Sequence, residues 1–82
     1  MRDNILELLR AQPFRTFSIY LTNGISHTIR HPDQVWVGSS FIIVGIPAHE
    51  SPDPEMAQTA FVGLLHVAQL TLDEPTFQST GS

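Results

Sequence analysis

The chain opens with a helical period. Ile5, Leu8 and Leu9 recur at i, i+3 and i+4, one apolar stripe of a short helix over residues 3–12. Asp3 is its expected N-cap. Asp3 and Glu7 place negative charge near the start and Arg10 positive charge near the end, the signs that suit the helix dipole. Pro13 stops the helix, because the residue before a proline is pushed out of the helical region. A helix this short is not stable alone in water. Its leucine-rich face must therefore dock, on its own chain or on a neighbour.

After Pro13 the period becomes two. Phe17, Ile19 and Leu21 alternate with Ser18, Tyr20 and Thr22, a half-buried strand with the hydroxyl row turned to solvent. Asn23-Gly24 marks a turn, and residues 25–31 form the return strand, with Ile25, His27 and Ile29 on one face. A two-residue loop would set the apolar rows of the two strands on opposite faces. A three-residue loop, Thr22-Asn23-Gly24, pairs Leu21 with Ile25, Ile19 with His27 and Phe17 with Ile29, and gathers the apolar side chains on one face. The pattern thus predicts the longer loop, with Gly24 in the left-handed region.

His31-Pro32-Asp33 breaks the second strand, with Asp33 expected to close an Asx-turn. Residues 34–38 (QVWVG) form a third strand, in which Trp36 points away from Val35 and Val37. A turn at Gly38-Ser39-Ser40 leads to FIIVGI at 41–46. That run is apolar on both sides, as in a central buried strand or one that meets a partner chain. If Phe41 and Ile43 face the core, the stripe of Ile42, Val44 and Ile46 needs cover from elsewhere. Residues 47–58 are a polar, proline-rich loop. Residues 59–72 fit a helix or strands; Gly63 and the β-branched residues favour two strands, near 59–65 and 68–72, with a bend between them. The expected fold is mainly β: an N-terminal helix followed by five or six short antiparallel strands in a small, strongly bent SH3-like or Sm-like barrel. It forms one domain over residues 1–74, with a polar tail at 75–82.

Composition narrows the function more than the fold. An 82-residue chain buries only roughly 60–65% of its unfolded surface, and association is a common remedy at that size. Hydrophobic residues make up 41% of the chain and charged residues only 15%, which leaves surface for a subunit interface. The net charge is −4 and lysine is absent, so Arg2, Arg10, Arg15 and Arg30 are the whole cationic set. Nucleic-acid affinity draws heavily on cations at phosphates, and this inventory argues against it. Without cysteine there is no disulfide or thiolate chemistry. No leader or membrane-spanning run is visible, so the expected compartment is the cytoplasm.

Candidate chemistry is sparse. His27 and His31 share a strand face but stand about 13 Å apart, too far for one metal. His49, Glu50, Asp53 and Glu55 gather in the polar loop, where a solvated loop explains them better than a cation site. His31 and Asp33 flank Pro32, and turn geometry accounts for both. Ser39 and Ser40 lack a nucleophile elbow. No nucleophile, base and orienter assemble, so neither enzymatic activity nor a cofactor is expected. Tyr20 and Trp36 are the aromatics expected to face outward, either on nucleobases or on a subunit interface, and the lack of lysine favours the interface.

Two resemblances add to this reading. Ala11-Gln12-Pro13-Phe14, Gly24, His31-Pro32-Asp33 and Leu64-Leu65-His66 resemble a family of short bacterial proteins of unknown function. Its members open with a helix ending in AQPF, followed by an HP-acidic motif and a late LLH strand. The stretch SIYLTNGI at 18–25 is similar to the first strand and turn of the bacterial Sm-like RNA chaperone family Hfq, which implies a ring of bent barrels. On that resemblance Tyr20, Gly24, Gln34 and His66 would contact RNA, with Arg15 and Arg30 supplying charge. Leu65, Ser26 and Val35 stand where that family carries two lysines and a base-stacking aromatic. The primary expectation is a non-enzymatic small β-barrel that self-associates as an interaction or scaffold module. The alternative is an Sm-like ring that binds single-stranded RNA.

Overall fold

A computed structural model describes residues 1–50 and 57–73. Helix α1 (Arg2–Arg10) leads into β1 (Phe17–Leu21) and β2 (Ser26–Ile29). A 3-10 turn at Pro32–Gln34 precedes β3 (Val35–Val37) and β4 (Phe41–Ile46). A second turn at Ala48–Glu50 follows, then β5 (Gln58–Gly63), a third at Leu64–His66, and β6 (Val67–Leu72). The strands form two antiparallel sheets, ordered β2-β1-β6 and β3-β4-β5. Among the described residues no ladder joins the two sheets, so they are not closed into the single barrel that the sequence suggests. The chain is mainly β, with one short helix. Among the described residues no helix is long and apolar enough to cross a membrane. The polar tail expected at 75–82 lies outside the described residues.

The first hairpin has the register that the pleat requires. Phe17 pairs with Ile29 and Ile19 with His27. The Leu21 N–H donates to the Ile25 carbonyl at 2.8 Å, and Gly24 sits at φ 90°, where a β-carbon would be strained. Phe17, Ile19 and Ile29 are fully buried, while Tyr20 is exposed. Ser18 departs from the expected solvent row and is buried. It lies on the central strand between Thr28 and Thr71, and its hydroxyl is 3.5 Å from that of Thr28. A small side chain flanked on both sides is screened by its neighbours. Ile25 departs in the other direction: it precedes β2 and is exposed, with its N–H bonded to Asn23 Oδ1.

The core lies between the inner faces of the sheets. Phe17, Ile19, Ile29 and Val67 meet Val35, Ile42, Val44 and Val62, and Ile5 of α1 closes one end of the cluster. The helix therefore docks on its own chain, and Arg2 Nε fixes it to the Gly38 carbonyl at 2.9 Å. The helix starts one residue earlier than the pattern suggests. Met1 occupies the N-cap position and Asp3 falls inside the first turn, where it meets the helix dipole without capping. The helix ends at Arg10 because Ala11 is already extended.

Two strands joined by a bend do occupy 58–72, with the 3-10 turn at Leu64–His66 between them. The rows of β4 are the reverse of the arrangement that would leave Ile42 and Val44 in need of cover. Both are fully buried in the core, and Phe41 and Ile43 form the outer row.

Candidate functional site

The outer face of β3-β4-β5 follows from the pleat and the register. Trp36 pairs with Ile43, and Ile43 pairs with Phe61, so all three share one row across the sheet. Phe41 and Gly45 lie two positions to either side of Ile43 on the same face, opposite Gly63 and Thr59. Trp36 is 63% exposed, Phe61 72% and Phe41 41%. The Phe41 and Phe61 rings stack at 6.5 Å with their planes 26° apart, which holds them as one ridge. Beyond β5, Leu65 stands almost fully in solvent. The three rings alone expose roughly 350 Å² of aromatic surface. An apolar patch of this size is comparable to the largest patch on a typical monomer, which is often a functional surface.

Gly45 gives this face its relief. A trough of about 450 Å³ lies beside it, with Trp36, Ile46, Pro47 and Thr59 among its walls and His31 and Asp33 at its rim. The backbone does not demand glycine there, since among the described residues only Gly24 has a positive φ. Packing does not demand it either: among the described residues a β-carbon on Gly45 would meet nothing nearer than the Gln34 carbonyl at 3.6 Å, an ordinary contact. Glycine inside a strand costs about 0.5–1 kcal/mol relative to alanine. Among the described residues nothing offsets that cost.

The described strands carry no charge: among the described residues no Asp, Glu, Lys or Arg falls in a strand. Edge strands usually carry charge, which discourages pairing with another chain. β3 and β5, the edges of this sheet, carry none. This signal was visible in the sequence, but only once strands are assigned does it single out the edges.

The residues proposed for RNA contact are not gathered. Gln34 is an internal clamp. Its Oε1 accepts from the Arg30 and His31 N–H groups at 2.7 and 3.3 Å, and its Nε2 donates to the carbonyls of Thr28 and Gly45 at 3.3 and 3.0 Å. That single carboxamide ties the end of β2 in one sheet to β4 in the other. Both of its donors are in use, so it has none to offer a base. His66 lies at the opposite end of β2, where its carbonyl accepts from the Thr22 N–H at 2.8 Å beside the Gly24 turn. A groove of about 510 Å³ there includes Thr22, Asn23, Phe61 and His66 in its walls, but neither Tyr20 nor Gln34 and no cation. Tyr20 is exposed on the outer face of the first sheet, between Ser26 and Gln69.

The other candidates have structural roles. The Gln34 N–H donates to the His31 carbonyl at 3.1 Å and the Gln34 side chain accepts from the His31 N–H at 3.3 Å, so His31 and Asp33 belong to a 3-10 turn closed by Gln34. Glu50 is paired with Arg30 and lies 3.3 Å from His49 Nε2. Asp53 and Glu55, the remainder of the candidate cation loop, lie outside the described residues. Among the described residues no three potential ligands cluster around a metal-sized space. Ser40 offers its carbonyl to the Leu64 N–H in the sheet. His27 faces a cleft of about 260 Å³ between the sheets, beside Val44, Ile46, Pro47 and Glu50. Burial there pushes its pKa below the ordinary value.

Comparison of the chain with family models, with curated proteins and with solved structures returned no match.

Proposed function

We propose that this protein is a non-enzymatic interaction module that works by associating with itself through the outer face of β3-β4-β5. One observation carries the reading: Trp36, Phe41 and Phe61 stand exposed on a single uncharged sheet face. A face without charge has nothing with which to steer a highly charged partner. A second copy is the partner for which the lack of charge is an advantage, because symmetric pairing tends to set like charges against each other. The three rings supply close to half of the about 800 Å² that each side of a stable interface buries. Ile43, Thr59 and Pro47 surround them.

An SH3-like or Sm-like barrel belongs to the same reading. The short turn at Leu64–His66 passes the chain from one sheet to the other, and the Gln34 clamp holds the sheets together on the far side. The RNA-binding alternative loses support from the bonding of Gln34 and from a groove at His66 that no cation lines. Light scattering over a concentration series tests the proposal. The expected mass is a multiple of the 9.1 kDa chain, falling toward one chain in Phe61→Ser while the melting transition is retained. A wild-type protein that stays monomeric at high micromolar concentration overturns it. Salt-dependent retention of oligo-A or oligo-U would favour the RNA reading instead.

A further inference from the structure

We infer that Phe41 of a second copy of this chain fills the trough beside Gly45, about a two-fold axis that passes across the strands at Ile43. The inference rests on the self-association just proposed and gives it a geometry. Along β4 the outer side chains are Phe41, Ile43 and Gly45, which run from large through intermediate to none. A two-fold axis lying in the interface, perpendicular to β4 at Ile43, reverses this order in the facing copy. The bulk of Phe41 then stands over the gap at Gly45, and the gap receives the partner's Phe41. Ile43 meets Ile43 at the axis, and each aromatic row meets its own copy. Sheets packed face to face lie about 10 Å apart, a space that interdigitating side chains must fill. The alternative axis, parallel to β4, would set Phe41 against Phe41 and leave an empty trough opposite an empty trough.

Two further features agree. Gly45 has an ordinary backbone conformation and room for a β-carbon, so its bareness serves nothing among the described residues of its own chain. Charge at the rim also matches. Arg2 is held on the Gly38 carbonyl near the Phe41 end of the face, and Asp33 lines the trough at the other end. Both stand on the β3 side of the sheet. The same rotation brings the Arg2 end of one copy over the Asp33 end of the other, where the guanidinium, 3.9 Å from its own Asp3, can also reach the Asp33 carboxylate of the facing copy.

The test fills the trough and then moves the knob. Gly45→Val keeps a strand-forming residue at a site with space for it, and the monomer is expected to retain its melting transition. The dimer dissociation constant is expected to rise about 10- to 100-fold, the range of an overpacked contact. The exchange variant Phe41→Ala/Gly45→Phe restores knob and socket in swapped positions and is expected to recover most of the lost affinity. Trp36 is the only tryptophan, so its emission reports the same transition, moving to shorter wavelength as wild-type dimer forms. If Gly45→Val dimerises as tightly as wild type while Phe61→Ser does not, association through this face stands and the socket is wrong. A limiting mass above two chains overturns the two-fold arrangement, and a monomeric wild type overturns both proposals. Should Gly45→Val fail to fold, Phe41→Ala alone decides: unchanged dimer affinity overturns the inference, and loss supports it.

Discussion

The two sheets share a core and differ on the outside. In β2-β1-β6 the outer positions are Ser26, Thr28, Ser18, Tyr20, Gln69 and Thr71, hydroxyls and an amide that water or neighbours satisfy. Ser18 approaches Thr28, and Gln69 Nε2 donates to Thr71 at 3.0 Å. In β3-β4-β5 the corresponding positions are Trp36, Phe41, Ile43, Gly45, Thr59, Phe61 and Gly63. The first sheet obeys the alternation of a strand with one face in water. The second is apolar on both faces, yet α1 leaves all three of its rings exposed. An apolar inner row builds the fold. A second apolar row on the other side contributes little beyond the Phe41–Phe61 stack to the isolated chain and exposes surface that another molecule can cover.

The contrast between rows is open to direct attack. Phe17 is fully buried on the inner face of the first sheet, and Phe61 is 72% exposed on the outer face of the second. Phe17→Ala is expected to cost about 3–5 kcal/mol of folding stability by urea titration, enough to unfold much of a domain this small. Phe61→Ser is expected to cost the monomer only about 0.5–1.5 kcal/mol, the loss of its stack on Phe41, while abolishing association. Comparable destabilisation by the two substitutions would erase the distinction between fold and interface.

Gln34 offers the next largest effect, because it joins the two regions being compared. Gln34→Leu keeps the side-chain volume but leaves the Thr28 and Gly45 carbonyls and the Arg30 N–H without their partner. The expected loss is about 1–3 kcal/mol, read from the urea midpoint. Gln34→Leu with full stability would show that the sheets hold together by core packing alone.

How much of this was legible depends on whether one row or two were apolar. In the first hairpin only one register puts Phe17, Ile19 and Ile29 together, and Gly24 provides the turn, so local pattern decided the geometry. In FIIVGI both rows are hydrophobic. The pleat then says which residues share a face, but not which face is inside. That choice is made by Val35 and Val62, which pair with Val44 and Ile42 and lie 9 and 20 positions away from them along the chain. The bend at 64–66 was readable because Gly63 interrupts an otherwise continuous apolar run. The role of Gln34 was not, since its partners Thr28 and Gly45 become neighbours only after the sheets have packed. The same holds for the trough: a glycine in a strand announces a bulge or a close approach equally well, and only its backbone angle and surroundings separate the two.

The smallest effect concerns the one ionisable side chain that the alternation turns inward. His27 pairs with Ile19 on the core-facing side of β2 and looks into the cleft between the sheets. Burial lowers its pKa below the ordinary 6.5. The unfolded chain therefore takes up a proton near pH 6.5, whereas the folded chain takes it up only at lower pH. Between these two values the unfolded state binds more protons, so stability increases with pH across that window. On acidification it is expected to begin to fall near pH 6.5 and to level off once the folded imidazole is itself protonated. His27→Gln removes the titrating group and should remove that part of the slope in a series of urea midpoints from about pH 8 to pH 5. An identical slope in the variant would place the pH dependence elsewhere. A wild-type midpoint that rises on acidification would mean that the nearby Glu50 carboxylate outweighs the burial of the ring.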